Sequence, residues 1–482
     1  MTDDIFFAPI TDLNARLRRK EFTCQDLTRA FVDRMERLGP RYNALALLMK
    51  EAAIDKAKDV DKELKRERFR GMLQGIPFGA KDLLSAKGHP TGWGARPYAG
   101  QVFDHDATVI KKLAGAGSVL TSKLAMVELA GGGGYRFPAA SMSGPGLNPW
   151  SRAHWSGGSS SGSGAAVAAG LVPFALGSET SGSILTPAAY CGVTGLRPTY
   201  GLVSRYGAMA LSWTLDKIGV LGRSADDCGW VLQAIAGSDA KDPGSAGKSF
   251  YYAPQFARPL NEVTVAYAPV DFDAAAEPAA KAAFQAAVEA FQSLGVKLVE
   301  ARIPEFPYGA VIGSVIGAES ASIFEELIRS GRVDQLDDKK QIAGLKASLD
   351  IPATDYLKAM RIRSLIREAF GQFFAQYDAI LTTSRPGPAS RVSQALDAGG
   401  GGAAGGAAGS RSSATGAGRG FSGIIPAGNL AGLPALSLPC GFAGELPVGL
   451  QLVSRAFNEN LILAIGKAFQ ERTDWHQKRP KI

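Results

Sequence analysis

Two spacings of apolar residues run along this chain, and together they predict a fold that contains both helices and strands. Near the N-terminus, Leu27, Phe31 and Met35 recur at every fourth position, which predicts one apolar stripe on an amphipathic helix. Thr23 followed by Asp26 resembles a capping box and predicts the start of that helix, although Glu or Gln is more usual than Asp at this place.

Farther along, strand and helix patterns alternate. A strand is predicted at residues 263–267, an alanine-rich helix at 275–294 and a second strand at 296–301. Alternation of this kind predicts an α/β sheet, and no charged or proline-rich linker divides the chain near its middle. We therefore expect a single large domain, in which residues 1–70 form an N-terminal helical cover and residues 71–482 form the α/β core.

The pattern is most distinctive between Trp155 and Gly195, where two clusters of glycine and serine flank an apolar segment. The first cluster surrounds Ser159, and the second surrounds Ser183. Small helix-compatible residues follow the first cluster, and an apolar run precedes the second. The pattern predicts a loop, a helix, a short buried strand and another loop, so that both serine loops are held by rigid elements.

The composition adds little to this picture, but it excludes several classes of protein. Of the 482 residues, 46% are hydrophobic and 20% are charged, which is typical of a globular protein with a large core. The net charge of +8 comes from basic residues mixed with acidic ones in helical stretches, which indicates solvated helix faces and not a nucleic-acid site. Four widely spaced cysteines, an acidic N-terminus and the lack of an uncharged apolar run of about 18 residues predict a reduced, cytoplasmic protein.

Three kinds of site are disfavoured by the residues that the sequence lacks. No Gly-Lys-Ser/Thr follows the glycine clusters, as a phosphate-binding loop would require. The four histidines stand outside apolar motifs and there is no G-x-S-x-G segment, which argues against a Ser-His-Asp triad. No Cys/His spacing suits a metal, so we expect neither a metal nor another cofactor.

A serine activated by a lysine fits the sequence better. Lys81 stands alone in an apolar stretch, and a buried lysine readily loses its charge and becomes a general base. The alternative is a lysine whose stem only snorkels to the surface. Such a site also needs a nucleophilic hydroxyl, a proton bridge and oxyanion donors. Ser183, Ser159 and the backbone amides around residues 180–183 could supply them.

The segments that carry these residues resemble the amidase signature family of amide hydrolases. The matching segments are G-I-P-F-G-A-K-D-L-L (75–84), G-G-S-S-S-G-S-G-A-A-V-A-A-G (157–170), G-S-E-T-S-G-S-I-L-T-P-A-A-Y-C-G-V-T-G-L-R-P-T-Y-G (177–201), L-A-G-L-P-A-L-S-L-P-C-G (430–441) and L-P-V-G-L-Q-L-V (446–453). The likeness covers nearly the whole chain, and long ordered motifs at consistent spacing make it specific.

The resemblance implies a fold and a set of catalytic roles. The fold would be one α/β domain with a large mixed, twisted sheet surrounded by helices. Lys81 would be the base and Ser183 the nucleophile. Ser159 would be the bridging serine, which in the family follows a cis peptide bond.

The resemblance also implies how the backbone holds the intermediate and the substrate. The backbone amides of Thr180, Ser181 and Gly182 would form the oxyanion hole. The backbone of Gly132 and Gly133 would contact the substrate.

The substrate is expected to be a small, uncharged or apolar carboxamide. Many family members carry Arg two places after the nucleophile, where this chain has Leu185, so a cation is missing. The chain also looks much like the glutaminase component of the tRNA-dependent amidotransferase, which releases ammonia from glutamine. We give that alternative less weight, because no acidic residue lies between Asp397 and Glu445, where that component supplies one for the ammonium group. Hydrolysis of an ester, a carbamate or a urea stays open.

The expected partners follow from this interpretation. We expect a small-molecule amide substrate and no nucleic-acid or membrane partner, and we leave a homodimer open. The Gly/Ala-rich stretch 398–420 is predicted to be a flexible loop that could gate the site.

Overall fold

The computed structural model describes residues 3–256, 258–396, 420–421 and 423–482. Its helices are α1 (Ile10–Arg18), α2 (Cys24–Leu38), α3 (Lys50–Lys65), α4 (Thr108–Gly115), α5 (Ser161–Ala168), α6 (Leu185–Cys191), α7 (Ala225–Ile235), α8 (Lys281–Ser293), α9 (Tyr308–Ile323), α10 (Glu325–Arg329), α11 (Lys339–Ser348), α12 (Ala353–Phe373), α13 (Ile424–Ala431) and α14 (Glu459–Arg472). Its strands are β1 (Leu45–Leu48), β2 (Pro77–Lys81), β3 (Val119–Leu124), β4 (Leu147–Asn148), β5 (Ser151–Trp155), β6 (Phe174–Glu179), β7 (Thr194–Arg197), β8 (Lys217–Gly222), β9 (Thr264–Tyr267), β10 (Lys297–Glu300), β11 (Ala379–Thr383), β12 (Ala435–Ala443) and β13 (Leu446–Ser454).

One mixed sheet of 11 strands runs through the molecule in the order β1-β3-β2-β6-β8-β7-β12-β13-β11-β9-β10. Strands β3, β2 and β6 are parallel to one another, and so are β11, β9 and β10. The strands between these two groups are antiparallel. Helices surround the sheet, and the predicted α/β fold with a large mixed sheet is confirmed.

The pairing of β2 with β6 decides where the lysine lies. Phe78 is opposite Phe174 in the register, and the two rings stack with centroids 5.3 Å apart. Parallel strands end at the same edge of a sheet. The last residue of β2, Lys81, therefore lies beside the last residues of β6, Ser178 and Glu179.

Helix α5 carries the first serine cluster and is buried along its whole length. It packs against α6 and against strands β2, β3 and β6, which is possible because its residues are small. A Cβ on Gly162 would lie only 2.5 Å from the carbonyl oxygen of Ala44 and 2.6 Å from the amide nitrogen of Ala125. The close approach of these backbones fixes the loop that precedes α5 against the edge of the sheet.

Several local predictions are confirmed. The Thr23 side chain accepts from the Asp26 amide while the Asp26 carboxylate accepts from the Thr23 amide, so the capping box is present. The predicted strands at 263–267 and 296–301 are the parallel neighbours β9 and β10. The helix between them begins later than predicted, at Lys281, because a 3-10 turn that starts with proline precedes it.

Other features could not be predicted or cannot be compared. Helix α6 was missed because its sequence is short and contains Pro187, which is tolerated here because it lies in the first turn. Strand β1 comes from the N-terminal region but pairs with β3 at the edge of the main sheet. Residues 398–419 of the predicted flexible loop lie outside the described residues. None of the helices in the described ranges is both long enough and apolar enough to cross a bilayer.

The packing of α5 gives a first prediction. Gly162→Ala should lower the free energy of unfolding by about 1–3 kcal/mol, because the added methyl group overpacks the contact with Ala44. Gly371→Ala is the matched control, since it also lies within a helix but a Cβ there meets nothing within 4 Å. That substitution should be neutral or stabilise the protein by up to about 1 kcal/mol. Urea unfolding followed by circular dichroism measures both, and equal effects would contradict the packing argument.

Candidate active site

Lys81 ends β2 with its side chain fully buried. Its Nζ lies 2.7 Å from Ser159 Oγ and 2.9 Å from Ser178 Oγ. Across the part of the chain that the structure describes, no carboxylate forms an ion pair with this amine. A buried ammonium without a counter-charge is unfavourable, so these surroundings favour the neutral form.

The electrostatics of the lysine agree with that geometry. Burial lowers the pKa of Lys81 to about 7, and the charges of Asp216 and Glu179 limit the decrease. A neutral amine has one lone pair and two N–H groups, so it can accept a proton from one serine while donating a hydrogen bond to the other. The pair Ser159 and Ser178 suits this arrangement.

The two serine loops meet beside this amine. The peptide bond between Gly158 and Ser159 is cis, as the resemblance implies. The amide of Ser160 donates to the carbonyl oxygen of Ser183 over 3.4 Å, which joins the loops through their backbones. No residue in the described ranges forms a hydrogen bond with the hydroxyl of Ser183, a residue that is 9% exposed. The structure thus joins Lys81 to Ser159 directly, and the nucleophilic role of Ser183 stays a prediction.

The loop between β6 and α6 carries Ser183, the predicted nucleophile, and is called the nucleophile loop below. The carboxylate of Glu179 holds one end of this loop. Its Oε2 accepts from the backbone amides of Ile184 (2.9 Å) and Leu185 (3.1 Å), where α6 begins. Its Oε1 accepts from Arg197 (2.8 Å) and from Asn429 (3.0 Å). Burial acts to raise the pKa of Glu179, but Arg197 and these hydrogen bonds lower it to about 2, so the group is ionised.

Asp216 holds the other end of the loop. Its Oδ1 accepts from Thr180 Oγ1 over 2.6 Å, and its Oδ2 accepts from the two backbone amides of residues 211–212. Between the two carboxylates, Gly182 has a φ of +86°, which favours glycine. The loop that carries Thr180, Ser181 and Gly182 is therefore fixed at both ends, although their role as oxyanion donors stays a prediction.

The two glycines predicted to contact the substrate lie in a tight turn. A Cβ on Gly132 would lie 2.9 Å from the side chain of Leu211. A Cβ on Gly133 would lie 2.5 Å from the carbonyl oxygen of Gln341, in α11. Both positions are packed against neighbouring elements, and their contact with a substrate stays a prediction.

A cavity of about 540 Å³ opens beside the lysine. It reaches Ser178, the second partner of Lys81, and Thr180 on the nucleophile loop. Apolar side chains such as Leu83 and Met209 form much of its wall, and none of the three predicted catalytic residues belongs to its lining. The cavity therefore reaches the predicted catalytic residues through Ser178, which contacts Lys81.

Arg385 reaches the nucleophile loop from the segment that follows β11. Its Nε donates to Thr186 Oγ1 over 3.0 Å, and its Nη2 contacts the same oxygen. Nη2 also lies 3.2 Å from the position that a Cβ on Gly182 would take. The expectation of an uncharged substrate rested on the cation that is missing at Leu185, and the structure places another cation at this loop.

Sequence reasoning missed Ser178, Glu179, Asp216 and Arg385. A local signal existed for Glu179, because it is the one acidic residue between Glu128 and Asp216 in the sequence. No local signal existed for Arg385, because about 200 residues of chain separate it from the loop that it contacts. Its position depends on the order of strands in the sheet.

Comparisons with known proteins place this geometry in a family. A family model described as Amidase matches residues 26–463. The A subunit of the glutamyl-tRNA(Gln) amidotransferase of Dechloromonas aromatica (strain RCB) is 35% identical over 499 residues, which cover 98% of this chain and 99% of that protein. The structure of the native peptide amidase from Stenotrophomonas maltophilia has a TM-score of 0.81 at 28% identity and covers 98% of each chain.

A second solved structure is similar to the same extent. The A subunit of the glutamyl-tRNA(Gln) amidotransferase of Thermotoga maritima has a TM-score of 0.76 at 27% identity and covers 98% of this chain and 96% of that one. The relatives found by sequence support the amidotransferase alternative more than the free-standing amidase that we favoured from the sequence. The structural neighbours include both kinds of protein.

The buried amine predicts a pH dependence. Because the neutral form of Lys81 is the predicted base, kcat/KM should rise with pH, reach half of its limit near pH 7 and level off above it. Lys81→Met should lower kcat by about 100- to 10,000-fold. Lys111→Met removes an exposed lysine on α4 and should leave both values unchanged. Steady-state rates between pH 5 and 9 measure this, and a kcat/KM that still rises about tenfold per pH unit at pH 9 would contradict a neutral amine at Lys81.

The anchoring carboxylate gives a separate prediction. Glu179→Gln should lower the free energy of unfolding by about 3–5 kcal/mol, because it leaves the buried guanidinium of Arg197 without its counter-charge. It should also lower kcat, because the amides at the start of α6 lose a charged acceptor. Glu300→Gln makes the same change on an exposed strand and should alter neither quantity. Denaturant unfolding and turnover are measured together, and an unaffected stability would rule out the anchoring role.

Proposed function

Because this chain belongs to the Amidase family, we propose that it hydrolyses the C–N bond of a small-molecule carboxamide through an acyl-enzyme formed on Ser183. The observation that carries this proposal is the fully buried Lys81, whose amine lies 2.7 Å from Ser159 Oγ and has no carboxylate partner among the described residues. Such an amine is a base at neutral pH, and a serine hydroxyl needs a base before it can attack an amide.

In the first half of the reaction, a proton moves from Ser183 Oγ to Ser159 Oγ while the proton of Ser159 moves to Lys81 Nζ. The Ser183 oxygen forms a bond to the carbonyl carbon, and the carbonyl oxygen becomes an oxyanion. The amides of the fixed loop between Glu179 and Ile184 are the donors we assign to that oxyanion, because a loop held in advance needs no reorganisation.

In the second half, the C–N bond breaks and the leaving nitrogen takes the proton that Lys81 returns through Ser159. The products at this stage are an amine, or ammonia, and an ester on Ser183. Water then loses a proton to the same pair of groups and attacks the ester, which releases a carboxylic acid and restores the serine. No atom or electron has to come from a cofactor in this scheme.

A second candidate function is that of the glutamine-hydrolysing component of a tRNA-dependent amidotransferase. The observation that favours it is the 35% identity, over almost the whole of both chains, to a protein named as part of such an enzyme. The two candidates share the acyl-enzyme chemistry but differ in substrate and in the need for partner proteins. Hydrolysis of esters, carbamates or ureas by the same serine is a third use of this chemistry.

The proposal predicts that one serine carries the acyl group. Ser183→Ala should lower kcat by about 1,000-fold or more, because it removes the hydroxyl that we assign to the ester. Mass spectrometry of the intact protein, mixed with a slowly hydrolysed activated amide, should show the acyl adduct on the native chain and no adduct on the variant. Ser293→Ala, on the exposed face of α8, should form the adduct as the native chain does. An adduct on Ser183→Ala would overturn the assignment.

The same protein separates the two candidate functions. The chain, expressed alone, should release ammonia from simple carboxamides if it is a free-standing amidase. If it releases ammonia only from glutamine, and only with co-purified partner proteins, the amidotransferase function is correct.

A further inference from the structure

The charge of Arg385 is not neutralised by any acid that the structure describes. The acceptor of its hydrogen bonds is a neutral hydroxyl, Thr186 Oγ1, which uses two of the five N–H donors of the guanidinium. Glu277 lies against Gly387, two residues farther along the chain, but it forms no ion pair with Arg385 and is exposed. Three N–H donors therefore remain next to the nucleophile loop.

Two phenols near this guanidinium also lack partners. Tyr135 is 3% exposed and Tyr190 is 9% exposed, and within the described ranges neither hydroxyl forms a hydrogen bond. Both residues are buried, but neither phenol oxygen is fully enclosed, so the two unpartnered hydroxyls face space that a ligand or solvent can enter. Both rings pack edge-on against Trp155, with centroids 6.2 Å away in each case, which holds the two phenols in one cluster.

Two of these groups lie beside the glycines that precede the two serines. The hydroxyl of Tyr135 lies 3.1 Å from the position that a Cβ on Gly158 would take, next to Ser159. Arg385 Nη2 lies 3.2 Å from the position that a Cβ on Gly182 would take, next to Ser183. Tyr190 lies one helical turn after Thr186, the acceptor of Arg385, and so on the same face of α6. Burial raises the pKa of both phenols; the charge of Arg385 opposes that increase in each, and the charge of Glu277 adds to it for Tyr190.

We propose that Arg385, Tyr135 and Tyr190 form a subsite for a carboxylate on the acyl part of the substrate, so that the preferred substrates are monoamides of dicarboxylic acids. This proposal rests on the proposed amide hydrolysis and names its substrate class. A guanidinium fork and phenol hydroxyls are all hydrogen-bond donors, and a carboxylate offers two oxygens that accept from several donors at once. A neutral apolar acyl chain would leave the guanidinium and both hydroxyls buried without acceptors, which is unfavourable.

The position of Ser183 indicates that the bound carboxylate belongs to the acyl part of the substrate and not to its amine part. The leaving nitrogen must stay beside Ser159 and Lys81 to receive its proton. Arg385 instead contacts the loop at Gly182 and Thr186, on the side where α6 begins. A carboxylate bound there is joined to the carbonyl carbon and remains on Ser183 after the amine has left.

The test compares substrates that differ in one charge. Ammonia release is measured with succinamate, with its neutral counterpart succinamide, and with glutamine. Ammonia is not released from N-acetylglycine, which carries its carboxylate on the amine side, so acetate release is measured for it. The native chain should prefer succinamate over succinamide by about 10- to 100-fold in kcat/KM, the factor expected for a charged hydrogen-bonded contact. A higher kcat/KM for N-acetylglycine than for succinamate would overturn the placement of the carboxylate subsite on the acyl side.

Variants then assign the preference to Arg385. Arg385→Met should remove the preference by raising KM for succinamate about 10- to 100-fold, with little change in kcat and little change for succinamide. Arg385→Lys keeps the charge but not the fork and should give an intermediate value. Tyr135→Phe should weaken the preference without abolishing turnover. Arg391→Met is the matched control, because it removes an exposed arginine from the same segment and should change neither substrate.

The readouts separate failure of the subsite from failure of the proposed function. If Arg385→Met lowers kcat/KM for both amides equally, or lowers it for neither, the subsite is wrong while amide hydrolysis stands. Binding of succinate to the Ser183→Ala chain, measured by calorimetry, requires no turnover and should be lost in the double variant with Arg385→Met. Succinate that binds equally to both chains, or to neither, would overturn the subsite even if no amide is hydrolysed.

Discussion

The burial of one amine without an ion pair is the constraint on which the rest of the site depends. Lys81 lies near two carboxylates, Glu179 and Asp216, and either would keep it protonated if it were close enough to pair. Each of these acids already has other partners. Glu179 pairs with Arg197, and Asp216 accepts from a threonine and two backbone amides. The lysine can therefore lose its proton near pH 7, because the acids around it are already satisfied.

The same two carboxylates give the nucleophile loop its shape. Asp216 holds Thr180, the first residue after β6, and Glu179 holds the amides with which α6 begins, so only residues 181–183 lie between the fixed points. A loop this short and doubly anchored keeps its amides in place before a substrate arrives, and such preorganised donors make a large contribution to catalysis in acyl transfer. The acids that leave Lys81 unpaired thus also fix the loop from which we propose that Ser183 attacks.

The sequence was informative where a residue is out of keeping with its neighbours. Lys81 in an apolar run, and Ser159 and Ser183 in glycine-rich clusters, could be singled out because burial and turn geometry leave local marks. The mixed sheet followed from the family resemblance. Of the two direct partners of Lys81, Ser159 was predicted and Ser178 was missed. Ser178 lies next to Lys81 because strands β2 and β6 pair, and no sequence motif marks it. Arg385 was missed altogether, and with it the charge that we had considered absent. Contacts that depend on the order of strands have no signature in a single sequence.

The parts of the site come from two widely separated portions of the chain. Lys81, Ser159 and Ser183 all lie between the end of β2 and the start of α6, whereas Arg385 belongs to the segment after β11. The residues of the proposed chemistry and the one cation of the proposed subsite are thus encoded in different stretches of the gene. Mutation or recombination in the later stretch could change which substrates are bound, while the earlier stretch keeps the proposed catalytic residues. One fold could in this way give rise to enzymes with many different substrates.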